Sequence, residues 1–307
     1  MTSFVLVHSP SVGPATWAGV AGRLRESGHG VVVPSLLGVA DGEPPYWPGV
    51  VAAVNAGLAG IAPGEPVVLV AHSNAGVFMP VIQAGLDVPT GCSIFADATV
   101  PAGHGETPVA PPEFLEFLRG LAGPDGRLPQ WTDWWDEQDV APMFEGAERL
   151  RAAVTAEQPR LPIGYYTERV PVPGGWDDHR CGYLVFSDPY AAEAQEARRR
   201  GWTVRALPGG HLHQIVDPAA VAAAISDLAG IAEPWPMTAR PRTLPPSQAR
   251  PASPGWRRRS HGNWQPRHCD AHTAAVRYVS KRQPSSRAET QRWMFWDGVP
   301  ARRIGRN

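Results

Sequence analysis

The sequence predicts an α/β fold in which a mostly parallel sheet carries helices on both faces. Short runs of Val, Leu and Ile alternate with helical patterns over the first 100 residues and again between 182 and 228. Continuous apolar strands of this kind are typical of a parallel sheet that is covered on both sides. A chain of 307 residues that is 43% hydrophobic can also bury a large core.

The predicted elements alternate along the chain as strand and helix. The first helix is indicated by Trp17, Val20 and Leu24, which fall on one helical face. Proline and glycine end several elements, as Pro34 does after the second strand. Strands are predicted at 4–7, 31–33, 66–71, 92–96, 182–186 and 202–207, and helices at 15–28, 50–61, 74–86, 112–121, 191–200 and 218–228.

Two segments depart from this alternation. Residues 102–180 interrupt it with many prolines, and a loop of this length in a compact domain is usually functional, often a lid. Residues 233–307 lose all periodicity and carry 15 Lys+Arg against 4 Asp+Glu. We predict one domain over 1–232 with a helical lid insert at about 102–180, followed by a basic, Pro- and Arg-rich tail that is disordered.

Composition narrows the classes of function. The net charge of −1 indicates no polyanionic partner, and a basic tail alone is weak evidence for nucleic-acid binding, which we do not expect. The three cysteines form no CxxC pair, so we expect neither a zinc site nor a disulfide framework, and a cytoplasmic location fits. No phosphate-binding glycine motif follows a strand and no HExxH occurs, which predicts no cofactor and no metal. No apolar stretch approaches the roughly 20 residues of a membrane span, so no membrane partner is expected.

The strongest local motif is the turn between the third predicted strand and the helix after it. It reads VAHSNAG over residues 70–76, with Ser73 between alanines at 71 and 75. Small residues are needed there because a tight, strained turn brings the neighbouring strand and helix close. The pattern predicts a nucleophile elbow that exposes the Ser73 hydroxyl. The Asn74 N–H and the start of the helix would lie beside it to stabilise an oxyanion.

The loop after the first strand adds a second motif. It reads HSPSVGPATW over residues 8–17, in which His8, Gly13 and Trp17 fit the pattern HGxxxGxxxW and Ser9 replaces the first glycine. Together with the elbow, this loop resembles the α/β-hydrolase fold family, in particular its small bacterial esterase-like serine hydrolases. The resemblance covers residues 1–232 and implies a catalytic triad with Ser73 as the nucleophile.

The resemblance also indicates the general base. In that family the catalytic histidine follows the last strand, and a proline that opens the next helix lies seven residues further on. His211 and Pro218 have this spacing, and two glycines before His211 let the loop bend back. A base with a pKa near neutral is needed to accept the Ser73 proton. His213 lies in the same loop and is the alternative.

Two aspartates compete for the third position, which accepts the Nδ1–H of the histidine. Asp188 follows the strand predicted at 182–186, the common position in the resembling family. Asp97 follows the strand at 92–96, where dehalogenase-like members of the fold place their acid, and a proline lies four residues later. An acid at the end of an apolar strand needs a partner when it is buried. The sequence favours Asp97 slightly and leaves both open.

The oxyanion hole departs from the family pattern. The resemblance implies that a second N–H comes from the residue two after His8, and here that residue is Pro10, which has no N–H. Either Ser11 supplies the donor, through its N–H or its hydroxyl, or the hole is incomplete. Loss of one such donor typically lowers the rate by about 10²–10³.

A tryptophan cluster lies in the insert, at Trp131, Trp134 and Trp135. One interpretation is an aromatic wall that binds an apolar acyl or aryl group of the substrate. The alternative is packing within the lid. Because Trp134 and Trp135 are adjacent, they cannot share one helix face.

These motifs together predict a function. We expect a serine hydrolase that cleaves a small, uncharged or apolar carboxylic ester through an acyl-enzyme, without a cofactor. The alternative is a receptor-like protein or pseudo-enzyme of the same fold that binds a ligand without hydrolysing it, and Pro10 is the feature that favours it. The sequence predicts no particular oligomeric state.

Overall fold

A six-stranded sheet forms the centre of the computed structural model, which describes residues 1–62 and 64–231. All of its strands are parallel, and their order is β2-β1-β3-β4-β7-β8. The mostly parallel sheet predicted from the apolar runs is therefore confirmed. The strands are β1 (Ser3–Val7), β2 (Gly30–Val32), β3 (Val67–His72), β4 (Thr90–Ala96), β5 (Gly105–Pro108), β6 (Arg169–Val172), β7 (Arg180–Val185) and β8 (Thr203–Ala206).

Helices cover both faces of this sheet, as predicted. Alternate residues of a strand point to opposite faces, so Phe4 and Leu6 pack into one apolar cluster while Val5 and Val7 pack into the other. The helices are α1 (Ala18–Glu26), α2 (Trp47–Gly57), α3 (Met79–Gly85), α4 (Pro112–Leu121), α5 (Glu137–Val140), α6 (Glu148–Ala156), α7 (Ile163–Thr167), α8 (Ala191–Arg199), α9 (His213–Val216) and α10 (Pro218–Leu228). Helices α1 and α10 contribute to the first cluster, and α2, α3 and α8 contribute to the second.

One predicted helix differs in its first half. We predicted a helix over 74–86, whereas a 3₁₀ segment spans Ser73–Phe78 and the α-helix α3 begins only at Met79. Pro80 lies in the first turn of α3 and has no N–H to donate to the carbonyl of Gly76. The α-helical hydrogen-bond pattern therefore cannot extend back through the elbow.

The segment between β4 and β7 contains elements of its own. The predicted helix over 112–121 is confirmed as α4, and α5, α6 and α7 follow it. The two short strands β5 and β6 pair in antiparallel fashion and form a small second sheet that the sequence analysis did not predict. The predicted tail, residues 233–307, lies outside the described residues.

The carboxyl ends of the six strands meet at one edge of the sheet. In the parallel register Val7 pairs with Ala71, and His72 pairs with Ala96. The residues that follow these strands are therefore neighbours, and this edge is where parallel α/β sheets bind ligands. Across residues 1–62 and 64–231, every helix is too short or too polar to cross a membrane.

Candidate active site

Ser73 lies at the bend between β3 and the 3₁₀ segment. Its φ of 59° is in the left-handed region, which a serine adopts only where the surroundings impose it. Two backbone hydrogen bonds fix the bend, since the Ser73 N–H donates to the Asp97 carbonyl at 3.1 Å and the Thr99 N–H donates to the Ser73 carbonyl at 3.2 Å. The strained turn predicted from the motif is therefore present.

Gly76 is packed tightly in the elbow, at a position that the sequence analysis did not single out. A Cβ at Gly76 would lie 2.2 Å from the carbonyl oxygen of Thr99, which belongs to the turn after β4. Ala75 tolerates its Cβ and is fully buried. The smallest residue is thus needed one position later than the motif suggests.

Replacing Gly76 with alanine is expected to lower the free energy of unfolding by about 1–3 kcal/mol. The added methyl group meets a backbone oxygen, which cannot move aside as a flexible side chain could. Urea denaturation followed by circular dichroism measures the change.

Gly22 provides the matched control. It lies within α1, and a Cβ there would meet nothing within 4 Å. Gly22→Ala should therefore leave stability unchanged or raise it slightly, because alanine is the better helix former. Equal destabilisation by both substitutions would contradict the packing argument.

His211 comes from the loop between β8 and α9. Its Nε2 lies 3.0 Å from the Ser73 hydroxyl oxygen, within hydrogen-bond distance. The buried His72 contacts His211 twice, through a hydrogen bond of 2.9 Å from its Nε2 to the His211 carbonyl and through ring centroids 4.6 Å apart. The alternative base, His213, instead packs its ring against Phe186.

Asp97 lies on the other side of the imidazole. One of its carboxylate oxygens, Oδ2, is 3.1 Å from Nδ1 of His211, and the side chain is completely buried. The same carboxylate accepts hydrogen bonds from the Phe186 N–H at 2.7 Å, the Ser187 N–H at 3.2 Å and the Ser187 hydroxyl at 2.5 Å. Four donors therefore surround one buried carboxylate.

The competing acid does not reach the imidazole. Asp188 is exposed, at the start of a 3₁₀ turn spanning Asp188–Tyr190. Of the two aspartates left open by the sequence, the structure brings only Asp97 to His211.

The loop after β1 is held by His8. Its Nε2 accepts a hydrogen bond from the Leu36 N–H at 2.9 Å, and its Nδ1 donates to the Ser9 carbonyl at 2.8 Å. This pattern requires a neutral ring with the proton on Nδ1.

Burial lowers the pKa of His8 to about 4, and burial together with the neighbouring His211 lowers the pKa of His72 well below its usual range. Both histidines are neutral at pH 7.

The predicted oxyanion donors are placed as follows. Asn74 is the second residue of the 3₁₀ segment, where the first N–H groups of a helix have no acceptor within the helix. The hydroxyl of Ser11 is buried and lies 2.6 Å from the Tyr166 hydroxyl. If Tyr166 donates in this contact, the Ser11 hydroxyl can still donate, and the backbone N–H of Ser11 is the other group that could serve as predicted.

The three tryptophans of the cluster have different environments. Trp131 is half-buried with its ring 6.2 Å from that of His211, so it borders the candidate site. Trp134 is buried against Tyr166 and donates its indole N–H to the Pro129 carbonyl, and Trp135 stacks on Phe117 at 5.4 Å. These contacts correspond to packing within the insert for Trp134 and Trp135.

Tyr190 is a site residue that the sequence analysis missed. Its hydroxyl lies 3.4 Å from the Ser73 hydroxyl oxygen, and its ring stacks on His211 at 4.9 Å with an interplanar angle of 4°. Its position in the sequence gives one indication, because Tyr190 follows β7 in the same loop as the candidate acid Asp188. An aromatic residue in such a loop is not distinctive without the fold.

The insert contacts the loop after β1 in two places. Besides the pair formed by Ser11 and Tyr166, the carboxylate of Glu157 accepts a hydrogen bond from the Ala15 N–H at 2.7 Å. A Cβ at Gly13 would overlap the Glu157 side chain, which explains the glycine at this position. The insert therefore holds the loop that borders Ser73.

A serine, a histidine and an aspartate joined by hydrogen bonds at the carboxyl edge of a parallel sheet define the arrangement found in serine hydrolases with an α/β fold. The chain belongs to the alpha/beta hydrolase family, whose sequence model matches residues 4–224. No curated protein sequence matches the chain.

Solved structures of the same fold are similar at low sequence identity. An extracellular alpha/beta-hydrolase from a Paenibacillus species, described as homologous to tobacco salicylic acid binding protein 2, is 16% identical with a TM-score of 0.57, over 74% of this chain and 99% of its own. Polyneuridine aldehyde esterase is 16% identical with a TM-score of 0.55, over 75% and 99%. A methylesterase from Arabidopsis is 14% identical with a TM-score of 0.53, over 76% and 100%. At these identities the likeness shows a shared fold.

Proposed function

We propose that the protein is a serine hydrolase that cleaves small, uncharged or apolar carboxylic esters through an acyl-enzyme. The observation that carries the proposal is the continuous hydrogen-bonded path from the Ser73 hydroxyl through His211 to Asp97, with contacts of 3.0 and 3.1 Å. A buried carboxylate orients the imidazole, and the imidazole is in position to take the serine proton.

The reaction proceeds in two halves. Ser73 Oγ attacks the ester carbonyl carbon as its proton passes to Nε2 of His211, and His211 then returns this proton to the departing alkoxide. In the second half His211 takes a proton from water as the resulting hydroxide attacks the acyl carbon, and His211 then returns this proton to Ser73 Oγ as the acyl–oxygen bond breaks and the acid leaves. Asp97 stabilises the imidazolium in both halves without becoming protonated.

The surroundings of Ser73 favour a neutral substrate. Burial lowers the pKa of His72 and raises the pKa values of Tyr166 and Tyr190, so all three groups are uncharged at pH 7. A substrate carboxylate would lose its hydration there without meeting a cation among these groups. The half-buried Trp131 provides apolar surface instead. Similar structures include proteins named as esterases, which supports an ester as the substrate.

A second candidate function is binding of a ligand without hydrolysis. Pro10 favours it, because this residue cannot supply the N–H expected in the oxyanion hole. The hydrogen-bonded triad argues against it, since a receptor has no need of a base aligned on a serine.

Labelling with a fluorophosphonate probe tests the proposal. The probe phosphonylates a serine only when a neighbouring base activates it, so wild type should be labelled and Ser73→Ala should not. Ser35→Ala is the control, because Ser35 is exposed outside the site, and this variant should label as wild type does. A folded wild-type protein that stays unlabelled would contradict the hydrolase and support the binding protein.

We also propose a reducing location such as the cytoplasm. Cys92 and Cys181 are both free and buried. Burial raises the pKa of the Cys92 thiol to about 11 and that of the Cys181 thiol to about 12, so both remain unreactive thiols at pH 7.

A further inference from the structure

We propose that Tyr190 is a catalytic residue whose hydroxyl donates a hydrogen bond to the oxyanion formed during acyl transfer, in place of the N–H that Pro10 lacks. The proposal rests on Ser73 being the nucleophile. It assigns a role to a side chain that the triad does not require.

The position of Tyr190 places its hydroxyl beside the reacting atom. The phenolic oxygen is 3.4 Å from the Ser73 hydroxyl oxygen, and the ring lies parallel to the His211 imidazole. Ser73 must direct its own proton to Nε2 of His211 in order to react, so its lone pairs are left to accept. Tyr190 is therefore the donor of this second hydrogen bond.

The backbone around Tyr190 fixes the phenol relative to the triad. The Tyr190 N–H donates to the Ser187 carbonyl at 3.1 Å, which closes the 3₁₀ turn. Ser187 in turn donates both its N–H and its hydroxyl to Asp97. One turn thus holds the carboxylate of the triad and the phenol, and the phenol stays in place while the chemistry occurs.

One N–H that the family pattern places in the oxyanion hole is missing here, and Tyr190 would act beside the Asn74 and Ser11 donors. Pro10 has no N–H at the position where similar proteins are expected to supply one, and the Ser11 hydroxyl already lies 2.6 Å from Tyr166. Tyr190 is the hydroxyl that reaches Ser73 from the described residues. Tyrosine side chains are among the groups that can form an oxyanion hole.

The step balances without proton transfer from the phenol. A bond forms between Ser73 Oγ and the carbonyl carbon, the carbonyl π electrons move to oxygen, and the Ser73 proton passes to His211. The Tyr190 proton stays on Tyr190 and hydrogen-bonds the new alkoxide oxygen. When the carbonyl re-forms, the electrons return and the alcohol leaves with the proton from His211.

The contact is weak at rest and becomes stronger as charge develops. At 3.4 Å the hydrogen bond to the neutral serine is long, so little stability is lost when it changes partner. A hydrogen bond to an oxyanion is shorter and stronger, and only interactions that strengthen in the transition state raise kcat. Burial raises the pKa of Tyr190, which keeps the phenol protonated and able to donate.

The test compares Tyr190→Phe with wild type, using p-nitrophenyl butyrate as substrate. The variant keeps the ring that stacks on His211 and removes only the hydroxyl. We expect kcat to fall by about 10²-fold, as for loss of one oxyanion donor, with KM unchanged. The affinity for a trifluoromethyl ketone inhibitor, which forms a hemiketal oxyanion on Ser73, should fall in parallel with kcat.

Tyr46→Phe is the matched control. Tyr46 is also buried, and its ring packs against that of Tyr165, a contact that the phenylalanine ring keeps. This variant should keep wild-type kcat and inhibitor affinity, and thermal melting verifies that both variants are folded. The inhibitor affinity separates a missing donor from a general packing defect, because a defect would change KM and Tm as well.

The outcomes distinguish this proposal from the proposed function. If wild type is labelled at Ser73 by the fluorophosphonate while Tyr190→Phe keeps wild-type kcat and inhibitor affinity, the role of Tyr190 is overturned and the hydrolase stands. If wild type is not labelled, both fall together. Parallel losses of kcat and inhibitor affinity in Tyr190→Phe alone support the donor.

Discussion

Replacing His211 with alanine should lower kcat for p-nitrophenyl butyrate by at least about 10⁴-fold, because among residues 1–62 and 64–231 no other base is placed to accept the Ser73 proton. The Nε2 of His211 is 3.0 Å from the Ser73 hydroxyl oxygen. The nearby His72 cannot replace it. Its Nε2 is engaged with the His211 carbonyl, and its pKa is held well below the usual range. Stopped assays with enough enzyme to detect slow turnover measure the loss.

His213→Ala is the control for this experiment. His213 lies two residues away in the same part of the chain, but its ring packs on Phe186. We expect its kcat to remain near that of wild type. Added imidazole should partly restore activity to His211→Ala if the missing group is a base. A large loss in His213→Ala together with an active His211→Ala would reverse the assignment of the base.

Replacing Asp97 with asparagine should lower kcat by about 10⁴-fold and leave the fold intact. The φ of 42° at Asp97 is one that asparagine adopts readily, so the backbone is retained. The asparagine oxygen can still accept the N–H groups of Phe186 and Ser187, which turns its amide NH₂ towards His211. The imidazole must then accept through Nδ1 and carry its proton on Nε2, where it can no longer deprotonate Ser73.

The control is Asp188→Asn, which makes the same chemical change at the exposed aspartate. Wild-type kcat is expected for this variant, and circular dichroism should give the same spectrum for both. The comparison decides between the two acids directly. Loss of activity in Asp188→Asn with retention in Asp97→Asn would show that Asp97 is only a structural group.

The sheet could be predicted from sequence because its strands are buried on both faces. Runs such as 66–71 contain only apolar residues. Because a predicted helix separates each run from the next, few sheet topologies other than a parallel one are compatible with the sequence. The pair β5 and β6 could not be predicted in the same way. Gly105–Pro108 and Arg169–Val172 are short, contain proline and pair with each other over a long separation in sequence. Pairing of that kind depends on tertiary contacts.

The candidate site was partly predictable for a similar reason. Ser73 and His211 occur in local patterns tied to the ends of particular elements, so a motif indicates them. The acid cannot be identified from a local pattern, because Asp97 and Asp188 both follow strands at the same edge of the sheet. Only the path of the His211 loop selects Asp97. The role of Tyr190 could not be predicted either, because its contact with His211 depends on how the loop after β7 meets the His211 loop. The environments of Trp134 and Trp135 could not be predicted either. The residue type predicts that an aromatic side chain is buried, but not whether it lines the site or packs within the insert.

The hydrogen bond from the Ser73 N–H to the Asp97 carbonyl joins the two turns that carry the nucleophile and the acid, and it limits how proteins with this fold can diverge. Both residues directly follow paired strands, so their separation is set by the register of the sheet, and a slip of one residue would turn a whole strand to the opposite face. Helices and the insert can accumulate substitutions without altering that spacing. A descendant can therefore replace a residue such as Trp131, which borders His211 from the insert, while it keeps the spacing of Ser73 and Asp97.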